Sequence, residues 1–218
     1  MTNKLKTLMI QEWIIRVQEP ESNGPHPVIW LFHGWRGDED SMSIFTSLLP
    51  KNYLILIPRG IYSAPKGGYS WVSPGDKKWL GLDSFIPALQ KIKDLEENWP
   101  LNAPWADFND LRVAGFSQGA ALAYTYTLMY PMIVKAVAGL AGFLPEKLPL
   151  DDSLDKNDYS KIKVFISHGT KDRLVPIEKA KLAAQVFTDL GAEVTFCESD
   201  VSHKLSKDCF KGLEVFFN

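Results

Sequence analysis

Residues 111–122 read Leu111-Arg112-Val113-Ala114-Gly115-Phe116-Ser117-Gln118-Gly119-Ala120-Ala121-Leu122, an apolar strand-like run that stops at Gly-Phe-Ser-Gln-Gly and resumes as a helix-like one. That is the sequence form of a nucleophile elbow, where a strand turns sharply into a helix and leaves the central serine projecting. Side chains on either flank of so tight a turn would collide, and glycine is the residue that tolerates the crowding. The pentapeptide alone is a weak signal; its place between strand and helix carries more.

The chain has 218 residues, 45% hydrophobic and 23% charged, with a net charge of -2. This length holds one core, so a single domain over residues 1–218 is expected. No block of like charge runs along the sequence, so it shows neither a phosphate-tracking run nor a basic membrane patch, and nucleic acid is not an expected partner. Gln11 and Glu12 interrupt Leu8-Met9-Ile10 well short of a signal-peptide core, and no segment is long enough to span a bilayer. Without a secretion signal, Cys197 and Cys209 read as reduced side chains of a strand and a helix, and the expected compartment is the cytoplasm.

Working outward from the elbow, residues 28–32 and 53–57 are continuous apolar runs, the mark of strands buried on both faces of a parallel sheet. Residues 7–19 are more mixed and suit a strand covering one side. Residues 41–49 read as a helix with Ile44, Phe45, Leu48 and Leu49 inward, and residues 83–98 as another that Pro100 stops. Between them, residues 58–78 form a long loop with Tyr62, Tyr69 and Trp71, too aromatic for an idle linker. Beyond the elbow helix, residues 134–139, 162–167 and 194–198 are further strands. Pro176 opens and Gly191 closes a helix that buries Ala183, Val186, Phe187 and Leu190. Leu205, Cys209, Phe210, Leu213, Phe216 and Phe217 stripe the last helix. Residues 143–161, with two prolines and an acidic run, show no period and read as a surface excursion, a candidate lid. Strands alternating with helices imply an α/β fold with a mostly parallel central sheet and helices on both faces.

In such sheets function gathers at the carboxyl ends of the strands. There stand His33-Gly34-Trp35, Ser117, Asp172 and, past the last strand, His203. A serine hydroxyl needs an imidazole to take its proton, and a carboxylate to fix that imidazole's tautomer. The chain order Ser117, Asp172, His203 is the order of this arrangement. Standing alone, Asp172 would read as a turn or capping residue and His203 as a surface one. Of the other histidines, His26 lies in the Pro-rich turn before its strand, whereas His33 and His168 precede glycines at strand ends and are expected to organise loops by hydrogen bonding. Asp200 competes with Asp172 for the acid role, but its closeness to His203 in sequence makes the meeting harder. Acyl transfer also needs oxyanion donors, usually worth about 3 to 4 kcal/mol each. The backbone N–H groups of Gln118 and Trp35 are the candidates. Trp35, Tyr69, Trp71, Phe143 and Leu174 are the candidate substrate-binding residues. His-rich spacing is absent and the cysteines lie too far apart for a close ligand pair, so neither metal nor cofactor is expected.

Four pieces of the chain resemble the phospholipase/carboxylesterase and acyl-protein thioesterase group of α/β-hydrolases. They are Leu31-Phe32-His33-Gly34-Trp35-Arg36-Gly37-Asp38-Glu39-Asp40, the elbow pentapeptide, His168-Gly169-Thr170-Lys171-Asp172 with Val175-Pro176, and Ser202-His203, and their spacing covers nearly the whole chain. The resemblance implies an α/β-hydrolase fold and a serine hydrolase of esters or thioesters. It implies Ser117 as nucleophile, Asp172 as orienting acid, His203 as base, and Trp35 and Gln118 as oxyanion donors. Trp35 is bulkier than the leucine common at its place in the group, which implies a narrowed acyl side, and Ser70-Trp71-Val72 matches the family segment only loosely. The expected activity is hydrolysis of short to medium acyl esters through an acyl-enzyme. The alternatives are an acyl-protein thioesterase or lysophospholipase and, outside enzymes, a catalytically silent binding protein of the same fold. The partner is then a small-molecule ester or thioester, with a homodimer left open.

Overall fold

Val28, Trp30 and Phe32 face one side of a strand and Ile29 and Leu31 the other, and all five are buried. In the computed structural model, which describes residues 5–21, 23–75, 80–101, 103–147 and 159–218, this strand lies in the middle of an eight-stranded sheet. The strands are β1 (Lys6–Ile10), β2 (Trp13–Gln18), β3 (His26–Phe32), β4 (Leu54–Pro58), β5 (Tyr62–Ser63), β6 (Tyr69–Ser70), β7 (Ala106–Phe116), β8 (Val134–Leu140), β9 (Lys163–Gly169) and β10 (Glu193–Ser199). The α-helices are α1 (Ile86–Glu97), α2 (Gln118–Met129), α3 (Ile177–Asp189) and α4 (Lys207–Phe217). Spatial order in the sheet is β1-β2-β4-β3-β7-β8-β9-β10, with β5 and β6 forming a separate hairpin. β2 pairs antiparallel with β1 and β4, and every other neighbouring pair in the large sheet is parallel.

Each sheet face has its own apolar cluster. Trp30, Val113, Val137 and Ile166 pack with Leu89 and Ile92 of α1, Leu122 and Tyr126 of α2, and Ala183 and Phe187 of α3. On the opposite face Ile29, Ile55, Ala138 and Phe165 pack with Phe45 and with Leu213 and Phe217 of α4. Two covered faces leave the central strands no solvent side, which is why they carry uninterrupted apolar runs.

Several elements differ from expectation. Residues 7–19 are two strands rather than one, because Gln11 adopts φ 54° and folds β1 back on β2. The helix expected at 41–49 is a 3₁₀ turn, Ser43–Leu48; three residues per turn put Phe45 and Leu48 on one side and leave Ile44 64% exposed. The loop at 58–78 carries the β5–β6 hairpin. His26 lies at the start of β3, not in the turn before it. Of the excursion at 143–161, residues 148–158 lie outside the described residues, so the lid expected there does too; Phe143, Leu144 and Tyr159 at its ends are buried in the core. Pro176 does stand just before α3, and Gly191 follows it at φ 90°.

Cys197 and Cys209 are joined in a disulfide, not reduced as expected. The chain leaves β10 at Ser199 and returns into α4 at Lys207, bringing the two Cα atoms to 5.7 Å. The cytoplasmic compartment expected from free thiols loses that support. Among the described residues no helix is long and apolar enough to cross a membrane.

Candidate active site

β7 ends at Phe116 and α2 begins at Gln118, so Ser117 alone makes the turn, at φ 54° and ψ -114°. Such a backbone is sparsely populated for a residue with a side chain and persists only where its surroundings dictate it. Here they do. A Cβ on Gly115 would stand 2.1 Å from Gly119 O, and one on Gly119 2.1 Å from Phe32 O. The Ser117 N–H donates to Leu140 O at 2.8 Å, and its own carbonyl accepts from Ala120 N–H at 3.0 Å.

The loop after β9 holds Asp172 by both oxygens. Oδ1 accepts from the N–H groups of Leu174 (2.9 Å) and Val175 (3.0 Å), and Oδ2 accepts from His203 Nδ1–H at 2.6 Å. With the proton on Nδ1, His203 keeps a lone pair on Nε2. Asp200, the rival acid, is turned elsewhere: it is exposed and takes Lys171 Nζ at 2.7 Å and Thr170 Oγ1 at 3.2 Å. His168 Nε2–H donates to Val175 O at 2.8 Å and lies 3.5 Å from Asp172 Oδ2. His33 accepts Gly60 N–H on Nε2 at 2.8 Å, so Nδ1 carries its proton and donates to Gly34 O, also at 2.8 Å. Burial holds both His33 and His168 below the ordinary imidazole pKa, keeping them neutral ties between loops.

Gly34 brings its loop against the elbow, where an added Cβ would stand 3.4 Å from Ser117 Cβ. Next to it, the backbone N–H of Trp35 has no acceptor among the described residues, and neither has that of Gln118 across the turn. The Gln118 side chain is spent on the neighbouring loop: Oε1 accepts from Trp71 N–H at 3.0 Å and from Ser70 Oγ at 3.3 Å. Two expected substrate-binding residues do not reach the cleft. Trp71 is fully buried against Phe32 and His33, and its indole N–H donates to His33 O at 2.8 Å, propping the loop from below. Tyr69 accepts Arg59 Nη1–H at 3.1 Å and lies under that guanidinium, whose other N–H groups grip Glu39 at 2.6 and 2.7 Å. Both aromatics serve the loop's structure.

Ser117, Gln118 and His203 open into a cleft of about 470 Å³, with no hydrogen bond between Ser117 and His203. Trp35, Phe143 and Leu174 line it as expected, with Trp35 57% and Leu174 65% exposed at its mouth. Pro65, Val72, Pro74, Leu80 and Val175 line it too, and sequence reasoning missed them. For Pro65, Val72 and Pro74 the signal was the length of the loop after β4, and for Val175 its place beside Asp172 in the Val175-Pro176 motif. None of the described lining residues is Asp, Glu, Lys or Arg, and no group of His, Cys, Asp or Glu among the described residues fits a metal ion.

Known proteins match this build. Acyl-protein thioesterase 1 of Candida albicans is 25% identical over 196 residues, covering 81% of this chain and 83% of that protein. Carboxylesterase SOBER1 of Arabidopsis thaliana is 28% identical over 103 residues, 47% of this chain and 45% of its own. Among solved structures, the Bacillus cereus carboxylesterase superposes with a TM-score of 0.78 at 17% identity, over 95% of this chain and 94% of that one. The carboxylesterase from Mesorhizobium loti gives 0.75 at 16%, over 96% and 97%. A model of the family described as Phospholipase/Carboxylesterase matches residues 14–218. That span runs from β2 to the end of α4 and takes in elbow, acid loop and histidine loop alike, so the chain belongs to the phospholipase/carboxylesterase family of α/β-hydrolases.

Proposed function

We propose that the chain, as one hydrolase domain, cleaves carboxylic esters of short to medium acyl chain through a covalent acyl-enzyme on Ser117. Ser117 Oγ attacks the acyl carbonyl carbon while His203 Nε2 takes the hydroxyl proton and Asp172 steadies the imidazolium. The tetrahedral oxyanion lies against the N–H groups of Trp35 and Gln118, the latter at the positive end of α2. Collapse expels the alcohol, which takes the proton from His203. Water, deprotonated by the same nitrogen, then attacks the acyl-serine, releases the acid and restores Ser117. The observation that carries this reading is the 2.6 Å bond from His203 to Asp172 in the wall of the cleft into which Ser117 projects. An uncharged, mainly apolar lining favours a neutral acyl group.

A thiol leaving group suits the same chemistry, and the name of the Candida albicans relative favours testing it. The experiment is a chain-length series of p-nitrophenyl esters with matched thioesters and amides, run on wild type and Ser117→Ala, with fluorophosphonate labelling. We expect ester turnover, labelling at Ser117, and a loss of at least about a thousandfold in kcat for the variant. No turnover and no label would leave only the binding-protein reading; a kcat/KM higher for thioesters would move the assignment to a thioesterase.

A further inference from the structure

The chain as a whole is slightly acidic, yet the mouth of the cleft is basic. Trp35, Pro65, Leu174 and His203 line the cleft, and each has a cation beside it in the chain: Arg36, Lys66, Arg173 and Lys204. No described residue flanking the lining is acidic; Asp76, after Gly75, lies outside the described residues. All four cations are exposed, and none is in an ion pair among the described residues. Other cations on these loops are neutralised, Arg59 by Glu39 and Lys171 by Asp200.

The four fall into two pairs, each tied by a hydrogen bond between its loops. Arg36 donates to Lys66 O at 3.0 Å and rests 5.8 Å from the centre of the Trp35 ring, which joins the first pair. The loops of Arg173 and Lys204 are joined by the bond between Asp172 and His203. Each pair has a large apolar side chain beside it, more than half exposed: Trp35 next to Arg36 and Leu174 next to Arg173. A site for one small anion would converge its cations on a point. Exposed cations spread over separate loops, with an exposed indole and an isobutyl group next to two of them, fit an extended anionic surface with an apolar layer beneath it.

We propose that the mouth of the cleft is a docking face for an anionic phospholipid bilayer. Arg36, Lys66, Arg173 and Lys204 meet the headgroup phosphates, while Trp35 and Leu174 enter the interface. The docking stands on charge and exposure alone; that the bilayer then delivers an acyl substrate to Ser117 rests on the hydrolase reading above. Each cation at an anionic surface is worth about fivefold in binding, and added salt screens it.

Flotation of the purified full chain with vesicles tests the docking, using phosphatidylcholine alone against equal parts phosphatidylcholine and phosphatidylglycerol, at low and high salt. Hydrolysis of p-nitrophenyl acetate and the melting temperature are followed in parallel. Wild type is expected to float with the mixed vesicles at low salt and to be released by high salt. The double variant Lys66→Glu with Arg173→Glu takes one cation from each pair and is expected to lose at least roughly twentyfold in vesicle affinity, with acetate hydrolysis and melting unchanged. Equal binding to both vesicle types, no binding to either, or undiminished binding by the double variant would overturn the docking. So would wild type that ignores vesicles while the variant loses kcat/KM only on soluble anionic esters, which would assign the rim to substrate charge. Failure of wild type to hydrolyse any ester would sink the hydrolase reading and leave the vesicle result standing.

Discussion

Asp172 shows how much of the site depends on single atoms. One oxygen is fixed by two backbone N–H groups of its own loop, so the other is aimed at His203 before any substrate arrives. An asparagine there must either turn its NH2 toward those two N–H groups or toward His203 Nδ1–H, and both put donor against donor. Asp172→Asn is therefore expected to lower kcat about ten-thousandfold on a short p-nitrophenyl ester, as a misplaced imidazole tautomer does elsewhere. Asp200→Asn removes an exposed partner of Lys171 and is expected to change kcat by less than about twofold. Similar losses in the two variants would take the acid role from Asp172. Chain order and placement at strand ends made Ser117, Asp172 and His203 legible in the sequence. The roles of Tyr69 and Trp71 were not, because whether an aromatic on a long loop faces inward or outward depends on partners such as Arg59 and His33 that no local pattern names.

At the scale of elements, the segment between β10 and α4 bears His203, and the disulfide from Cys197 to Cys209 closes its two ends. Strand and helix were both readable from their apolar patterns. Their pairing was not: the apolar stripe already put Cys209 on the buried side of the helix, but no local pattern names the strand against which that side returns. Closing a loop of this size is worth about 3 kcal/mol through the unfolded chain. Reduction, or Cys209→Ala, is expected to lower the melting temperature by about 6–12 °C and to reduce kcat as the histidine loop loosens. Calorimetry and ester turnover with and without a phosphine reductant check this. A wild type whose melting and turnover ignore the reductant, like the variant, would remove the disulfide from any part in holding His203. The basic rim is unreadable in sequence for a related reason: Arg36, Lys66, Arg173 and Lys204 belong to separate loops, and only the carboxyl ends of the strands bring those loops together.

The whole molecule commits two neutral histidines to its interior, and this sets its response to acid. Continuous apolar runs told that both sheet faces are covered, but not that the cover includes polar groups such as Glu96, buried beneath Trp30, Tyr126 and Lys93. His33 and His168 are likewise buried, each with one ring nitrogen donating to a carbonyl. Protonating His168 would put an N–H on Nδ1, which has no partner among the described residues; protonating His33 would break its acceptance of Gly60 N–H. Burial therefore lowers both pKa values below the unfolded 6.5. Above that value both states are neutral and the stability is fully present. As pH falls below it the unfolded chain binds protons that the native one refuses, and stability is lost until the lowered native values are passed. Each histidine contributes a slope of at most about 1.4 kcal/mol per pH unit. Burial raises the Glu96 carboxyl, whose effect has the opposite sign between its unfolded value and the raised one, so the comparison with a His168 variant isolates the histidine. Denaturant unfolding between about pH 7 and pH 5.5 is therefore expected to show falling stability. His168→Gln, whose amide NH2 still offers a donor to Val175 O but does not titrate, should fall less steeply. Equal slopes in variant and wild type would mean that the neutral His168 is not a source of the acid sensitivity.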